Sequence, residues 1–170
     1  MDHSFNFFTP TQLIFGSGRL EELKEVAPKY GSKCLLVCRP LGGSLKLTYQ
    51  RVENLLNSVN IEVIFFDEII PNPTIEGIEK GVITAVKNQV DFVLGVGGGS
   101  VMDSAKLIAL LHNPEGVINW EEASISYDHP FNYGASKQHT LPFIAVSTTS
   151  GTGSQCTQAA VISDNQKKEK

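Results

Sequence analysis

The chain has 170 residues, 41% of them hydrophobic and 19% charged, with a formal net charge of −4, a balance that fits a soluble globular protein of about one domain. The mild acidity leaves no basic excess to neutralise phosphates, so a nucleic-acid partner is not expected, and the only local cationic run is "KKEK" at the end. No stretch approaches membrane-spanning length, and "MDHSFNFF" has neither the basic start nor the apolar run of a signal peptide, so a cytoplasmic protein is expected.

In chain order, "FNFFTPTQLIFG" shows two apolar patches broken by Pro10, which predicts an extended edge ribbon leading into a helix around "LEELKEVAPKY". The runs "KCLLVC" (33–38) and "IEVIFF" (61–66) are short and almost continuously apolar, as in strands buried on both faces. Cys34 and Cys38 lie inside the first of these runs and read as small buried residues rather than a bridge or a metal pair. Residues 74–89 place Ile75, Ile78, Val82, Ala85 and Val86 at helical spacing, with Thr74 as N-cap after Pro73. A third strand is predicted over "VDFVLGVG" (90–97), a helix over "SVMDSAKLIALLH" (100–112) and a fourth strand over "LPFIAVS" (141–147). Between the last two, residues 113–140 keep no period and read as a long loop or lid. Strands separated by helical segments imply parallel pairing through right-handed crossovers, hence an α/β fold with a Rossmann-like open, mainly parallel sheet.

In such sheets ligands bind outside the carboxyl ends of the strands, and "GVGGGSVMDSAK" (95–106) sits at one. Gly97, Gly98 and Gly99 would let the backbone approach a ligand and take positive φ, and the following helix offers free N–H groups and a partial positive charge. A phosphate or pyrophosphate suits that position. The simpler alternative is a tight strand-to-helix turn, with Ser100 as N-cap and Asp103 closing a capping box. The spacing does not match a P-loop, since Lys106 lies seven residues after Gly99, and it also misses the GxGxxG dinucleotide fingerprint. Asp103 and Lys106, one helical turn apart, read by spacing as an ordinary surface pair. His3, His112, His129 and His139 show no metal-ligand spacing.

The stretch "GGGSVMDSAK" (97–106) resembles the GGGSxxDxAK signature of the iron-containing, or group III, alcohol dehydrogenases, and "STTSGTGSQCT" (147–157) resembles their TTxGTGSE block. "PNPT" (71–74) and the opening "FFTPTQLIFGSGRLEEL" match in the same order, so the resemblance runs through the whole chain. It implies that residues 1–170 are the family's N-terminal dinucleotide-binding domain. The C-terminal helical domain that carries the metal ligands, iron or sometimes zinc, is expected to be absent, and the segment to be inactive alone. By motif position the resemblance implies that Gly98, Gly99 and Ser100 contact the pyrophosphate of NAD or NADP. It places Asn72 near the adenosine half, Asp103 and Lys106 toward the cleft, and Thr148, Thr149 and Thr152 along the cofactor, with Lys170 only a loose match to a family lysine. After the first strand the chain carries Arg39, Gly42, Gly43 and Ser44 with no acid, as in family members that accept the 2′-phosphate, so NADP is expected over NAD. Gln155 stands where the family commonly has Glu.

The reaction implied is hydride transfer between a small alcohol and its aldehyde or ketone. The family habit also implies a homodimer formed through the ribbon at residues 5–15. Two other readings stay open. One is the cofactor domain of a glycerol dehydrogenase or a dehydroquinate synthase relative. The other is a non-catalytic nucleotide-binding module.

Overall fold

The four apolar runs become four strands: β1 (Lys33–Val37), β2 (Glu62–Phe66), β3 (Phe92–Gly97) and β4 (Phe143–Ser147). All pair in parallel, in the order β2-β1-β3-β4. The structure is a computed structural model and describes residues 10–121, 123 and 140–165. Parallel neighbours need crossovers. The helices are α2 (Lys46–Asn57) between β1 and β2, α3 (Ile75–Asn88) between β2 and β3, and α4 (Gly99–Leu111) after β3. No described helix is long and apolar enough to cross a membrane.

Side-chain alternation along β1 divides the core in two. Leu35 and Val37 pack with Ile78 and Val82 of α3 and Met102 and Ile108 of α4. Cys34, Leu36 and Cys38 pack on the other face with Tyr49, Val52 and Leu56 of α2, and with Leu23 of a short helix α1 (Leu23–Val26). A central strand covered on both faces must be apolar at every position, which is why β1 and β3 read as continuous runs. The Thr74 side chain caps α3 by accepting from the Gly77 N–H at 3.2 Å, in line with the sequence pattern.

Three features depart from the sequence-based expectation. The helix expected over "LEELKEVAPKY" is a chain of short turns, Arg19–Glu22, Leu23–Val26 and Ala27–Lys29; the last boundary falls where Pro28 has no N–H to donate back along a continuous helix. The ribbon lies partly outside the described residues, and its described part, residues 10–15, forms no strand. Leu13, Ile14 and Phe15 instead line a groove of about 440 Å³ beside β4; Pro10 cannot donate to a ladder. Helix α2 is not among the elements expected from sequence, although Tyr49, Val52, Leu55 and Leu56 lie on one buried stripe.

Cys34 and Cys38 are free and fully buried, whereas Cys156 is exposed. Burial pushes both buried thiols from 9.0 up to about 12, with the charge of Asp67 adding to the effect at Cys38. In native protein at pH 8 an aromatic disulfide reagent is therefore expected to label Cys156 alone, and all 3 cysteines after denaturation. A folded value above the unfolded one means that the folded state holds its thiol protons longer. Their contribution to stability is complete below pH 9.0 and is lost as the pH rises toward about 12. Urea midpoints measured across that interval should fall accordingly.

Candidate functional site

The crossover from β1 runs over one face of the sheet through α2, and the crossover from β2 returns over the other face through α3. The loops after β1 and β3 lead to α2 and α4 on opposite faces of the sheet, the arrangement that in open α/β sheets puts a ligand between two such loops at the carboxyl ends of the strands. The glycine stretch follows β3 and the Arg39–Ser44 stretch follows β1.

At the end of β3 the glycines serve close packing. A Cβ on Gly97 would stand 2.7 Å from Val101 Cγ2, so a side chain there would push α4 off the strand. On Gly98 it would stand 3.1 Å from Thr149 Cγ2, and on Gly99 3.2 Å from Thr152 Cγ2. Positive φ, expected for these glycines, does not occur: Gly98 has φ −91°, and the left-handed glycines lie elsewhere. The need is nearness, not handedness.

Gly98 is the N-cap of α4, with no side-chain cap, and its carbonyl accepts from the N–H groups of Val101 and Met102, each at 3.0 Å. The expected capping box of Ser100 and Asp103 is not formed. Ser100 lies inside the first turn, where its carbonyl accepts from Ser104 Oγ at 2.8 Å, and Asp103 is engaged by other groups. Helix N-termini without side-chain caps offer N–H groups and positive potential to an anion.

The second glycine-rich segment lies directly over this helix end. Thr148 N–H donates to the Gly97 carbonyl at 2.9 Å, which brings Thr149 and Thr152 above Gly98 and Gly99. Farther on, Asp103 accepts from Ser154 Oγ and, at 3.1 Å, from the Val161 N–H. Ser163 then forms a parallel bridge with Thr74, its N–H donating to the Pro73 carbonyl at 2.8 Å. The three motifs thus meet along one stretch of chain. Sequence reasoning did not anticipate Ser154 as the partner of Asp103 or Val161 as a second one; only the serine belongs to one of the motifs.

The remaining candidates are more dispersed. Arg39, Gly42, Gly43 and Ser44 form an exposed turn after β1, beneath which Tyr49 is buried. Burial raises the Tyr49 phenol, and a hydrogen bond with the Arg39 backbone opposes the shift. Asp67, which sequence reasoning also passed over, accepts from the Leu41 N–H at 3.4 Å and brings a carboxylate to that turn. Asn72 is exposed, with φ 55°, in the loop between β2 and α3. That loop borders a cavity of about 310 Å³ between Pro73, Thr74, Lys80 and Ser104. Gln155 lines the groove beside β4, and its buried Oε1 has no hydrogen-bond partner among the described residues. Most of the long loop at 113–140, and Lys170, fall outside the described residues. Among the described residues no three His, Cys, Asp or Glu side chains come together as a metal would require, so the residues on view do not fit a metal.

The family model for iron-containing alcohol dehydrogenase matches residues 10–170. A probable NADH-dependent butanol dehydrogenase of Bacillus subtilis is 34% identical over 98% of this chain and 40% of its own length. Alcohol dehydrogenase 4 of Saccharomyces cerevisiae is 33% identical over 95% of this chain and 40% of its own. Among solved structures, an archaeal alcohol dehydrogenase from a Red Sea brine pool superposes with a TM-score of 0.81 at 33% identity, covering 98% of this chain and 42% of that one. The chain spans about 40% of the length of the curated relatives it matches.

Proposed function

The chain belongs to the iron-containing alcohol dehydrogenase family, and from that premise we propose that residues 1–170 form the nicotinamide-dinucleotide-binding domain of an oxidoreductase acting on small alcohols or aldehydes. The observation that carries this reading is the convergence at the end of β3. The α4 N-terminus has no side-chain cap, and the side chains of Thr149 and Thr152 lie close over Gly98 and Gly99, 3.1 and 3.2 Å from where a Cβ would stand. A pyrophosphate needs several donors within reach of one small volume. The amides of Gly98, Gly99 and Ser100 are proposed to supply backbone donors, and Thr148, Thr149 and Thr152 hydroxyl donors.

When bound, a nicotinamide would supply hydride-transfer chemistry toward an alcohol or aldehyde carbon. The chain's own share is to bind and orient: the helix end attracts the diphosphate, and the threonine loop shields it from water. The chain spans about 40% of its relatives' length, and the reading expects this segment by itself to bind the dinucleotide without turning over substrate. Asn72, in the loop just before the α3 N-terminus, is proposed to lie toward the adenosine half.

For the ribose, Arg39 and Ser44 on an open glycine turn favour a 2′-phosphate, and NADP is the proposed preference. A second reading, NAD, is favoured by the Asp67 carboxylate at Leu41 and by relatives whose names specify NADH. Titration of the 170-residue chain with NADPH and with NADH, followed by nicotinamide fluorescence, tests both. Saturable binding that is tighter for NADPH and weakened by Ser44→Asp is the expected result. Tighter NADH would assign the ribose to Asp67, and no binding of either cofactor would overturn the dinucleotide reading.

A further inference from the structure

The segment that carries Thr149 and Thr152 has no regular secondary structure between β4 and the bridge at Ser163, and both threonines are exposed. A stretch of this kind holds its place only through what fastens it at each end. On the β4 side the fastening is the backbone bond from Thr148 to Gly97 and the bond at 3.0 Å that Ser147 Oγ donates to the Thr149 carbonyl. On the α4 side it is a polar cluster.

Asp103 and Lys106 make an ion pair at 3.1 Å, with side chains only 15% and 14% exposed. Asp103 also accepts from the Ser154 hydroxyl and from the Val161 N–H. Lys106 donates to the Thr157 carbonyl at 3.3 Å and to the Ala159 carbonyl. The carboxylate and the ammonium therefore each bind the 154–161 segment while binding each other. A helical surface pair one turn apart would leave those groups to water. Here their hydrogen-bonding capacity is directed at one piece of chain, and a largely desolvated pair is tolerated only when its remaining donors and acceptors are used in this way.

The rigid part of this arrangement is α4, which packs on β3 through Val101, Met102 and Ala105. Its N-terminus is the anion site of the reading given above, and one turn farther along the same helix it holds the loop that covers that site. We propose that Asp103 and Lys106 are positioning residues: they fasten the 148–161 segment to α4, hold Thr149 and Thr152 over the helix end, and so set dinucleotide affinity without touching the cofactor. The affinity part rests on the dinucleotide reading; the fastening part does not.

The experiment uses Asp103→Asn and Lys106→Met in the 170-residue chain, with amide hydrogen exchange measured without ligand and NADH and NADPH affinity measured by titration. Exchange across 148–161 should quicken about tenfold in both variants while β3 and α4 keep their rates, the scale expected for losing one charge-assisted hydrogen bond. The dissociation constant for the better cofactor should rise by about the same factor. Thr152→Ala, combined with Asp103→Asn, should add little to either single loss, because both act through one loop, whereas a direct contact from Asp103 would make the two losses multiply. Should Asp103→Asn fail to fold, Ser154→Ala removes one donor to the same carboxylate and should shift both readouts in the same direction by less.

Unchanged exchange in the variants overturns the fastening. Quickened exchange with undiminished affinity overturns the positioning role alone. A wild-type chain that binds neither cofactor overturns the dinucleotide reading and the affinity role with it, while exchange still decides whether the segment is fastened as described.

Discussion

Gly31→Ala is expected to lower the stability of the chain by about 3–5 kcal/mol, the sum of a strained backbone and an overpacked contact. Gly31 has φ +145°, outside the range that L side chains ordinarily adopt, so any substitution there is strained whatever the space. The space is also taken. A Cβ would overlap that of Asp91 and stand 2.5 Å from its Cγ and Oδ2.

Asp91 cannot simply move aside. Its Oδ2 accepts from the N–H of Ser32 at 2.7 Å and of Lys33 at 2.9 Å, and its own N–H donates to the Lys33 carbonyl at 2.8 Å. These bonds tie the start of β1 to the start of β3, just before Cys34 pairs with Phe92. Urea unfolding followed by circular dichroism gives the comparison, with Asp91→Ala as the partner variant. That variant should cost less, because it loses the hydrogen bonds but not the backbone fit. A Gly31→Ala midpoint equal to wild type would show that the turn has other ways to close.

The second large effect is functional. Gly98→Val should weaken nicotinamide-dinucleotide binding by about 100-fold, the loss of two charge-assisted hydrogen bonds at about 1.5 kcal/mol each. Gly98 has φ −91° and ψ −168°, an extended backbone that valine adopts readily, so the fold should lose little. What changes is the surface. The added carbon meets Thr149 at 3.1 Å, and the branched methyl groups must push the threonine loop away or occupy the volume in front of the α4 N-terminus. Fluorescence titration with NADH and NADPH reads the loss, and a thermal melt confirms that the variant is folded. Retention of wild-type affinity in a folded Gly98→Val would place the phosphates elsewhere.

The two glycines show how unequally a sequence displays its reasons. Gly98 lies in a stretch whose composition draws attention, whereas Gly31 is a lone glycine before an apolar run. Its constraint comes from Asp91, far along the chain and brought near only by the pairing of β1 with β3. Helix α2 was legible in principle, since its buried residues fall on one stripe. Charged and polar residues and an exposed Leu47 fill the rest of "KLTYQRVENLLN", however, and it stands out far less than the strands on either side. The turns at residues 19–29 carried a helical pattern, and Pro28 interrupts its hydrogen bonding at the last of them.

Local sequence determined what local physics decides. Continuous apolar runs made buried strands, and Thr74 made a cap, because hydrogen bonding and side-chain alternation act within a few residues. The motifs likewise pointed to the strand end where a ligand would sit. Only the tertiary structure decided what the residues at that end do to one another. It turned Asp103 from a capping candidate into the hydrogen-bond partner of Ser154 and Val161, and it made the glycines at 97–99 a matter of room rather than of φ. It also set the Asp67 carboxylate beside a turn whose own sequence holds no acid. The physical reason is common to all three. A carboxylate, a hydroxyl or an absent Cβ takes its role from atoms within about 3 Å, and parallel crossovers bring those atoms from segments that lie far apart in the chain.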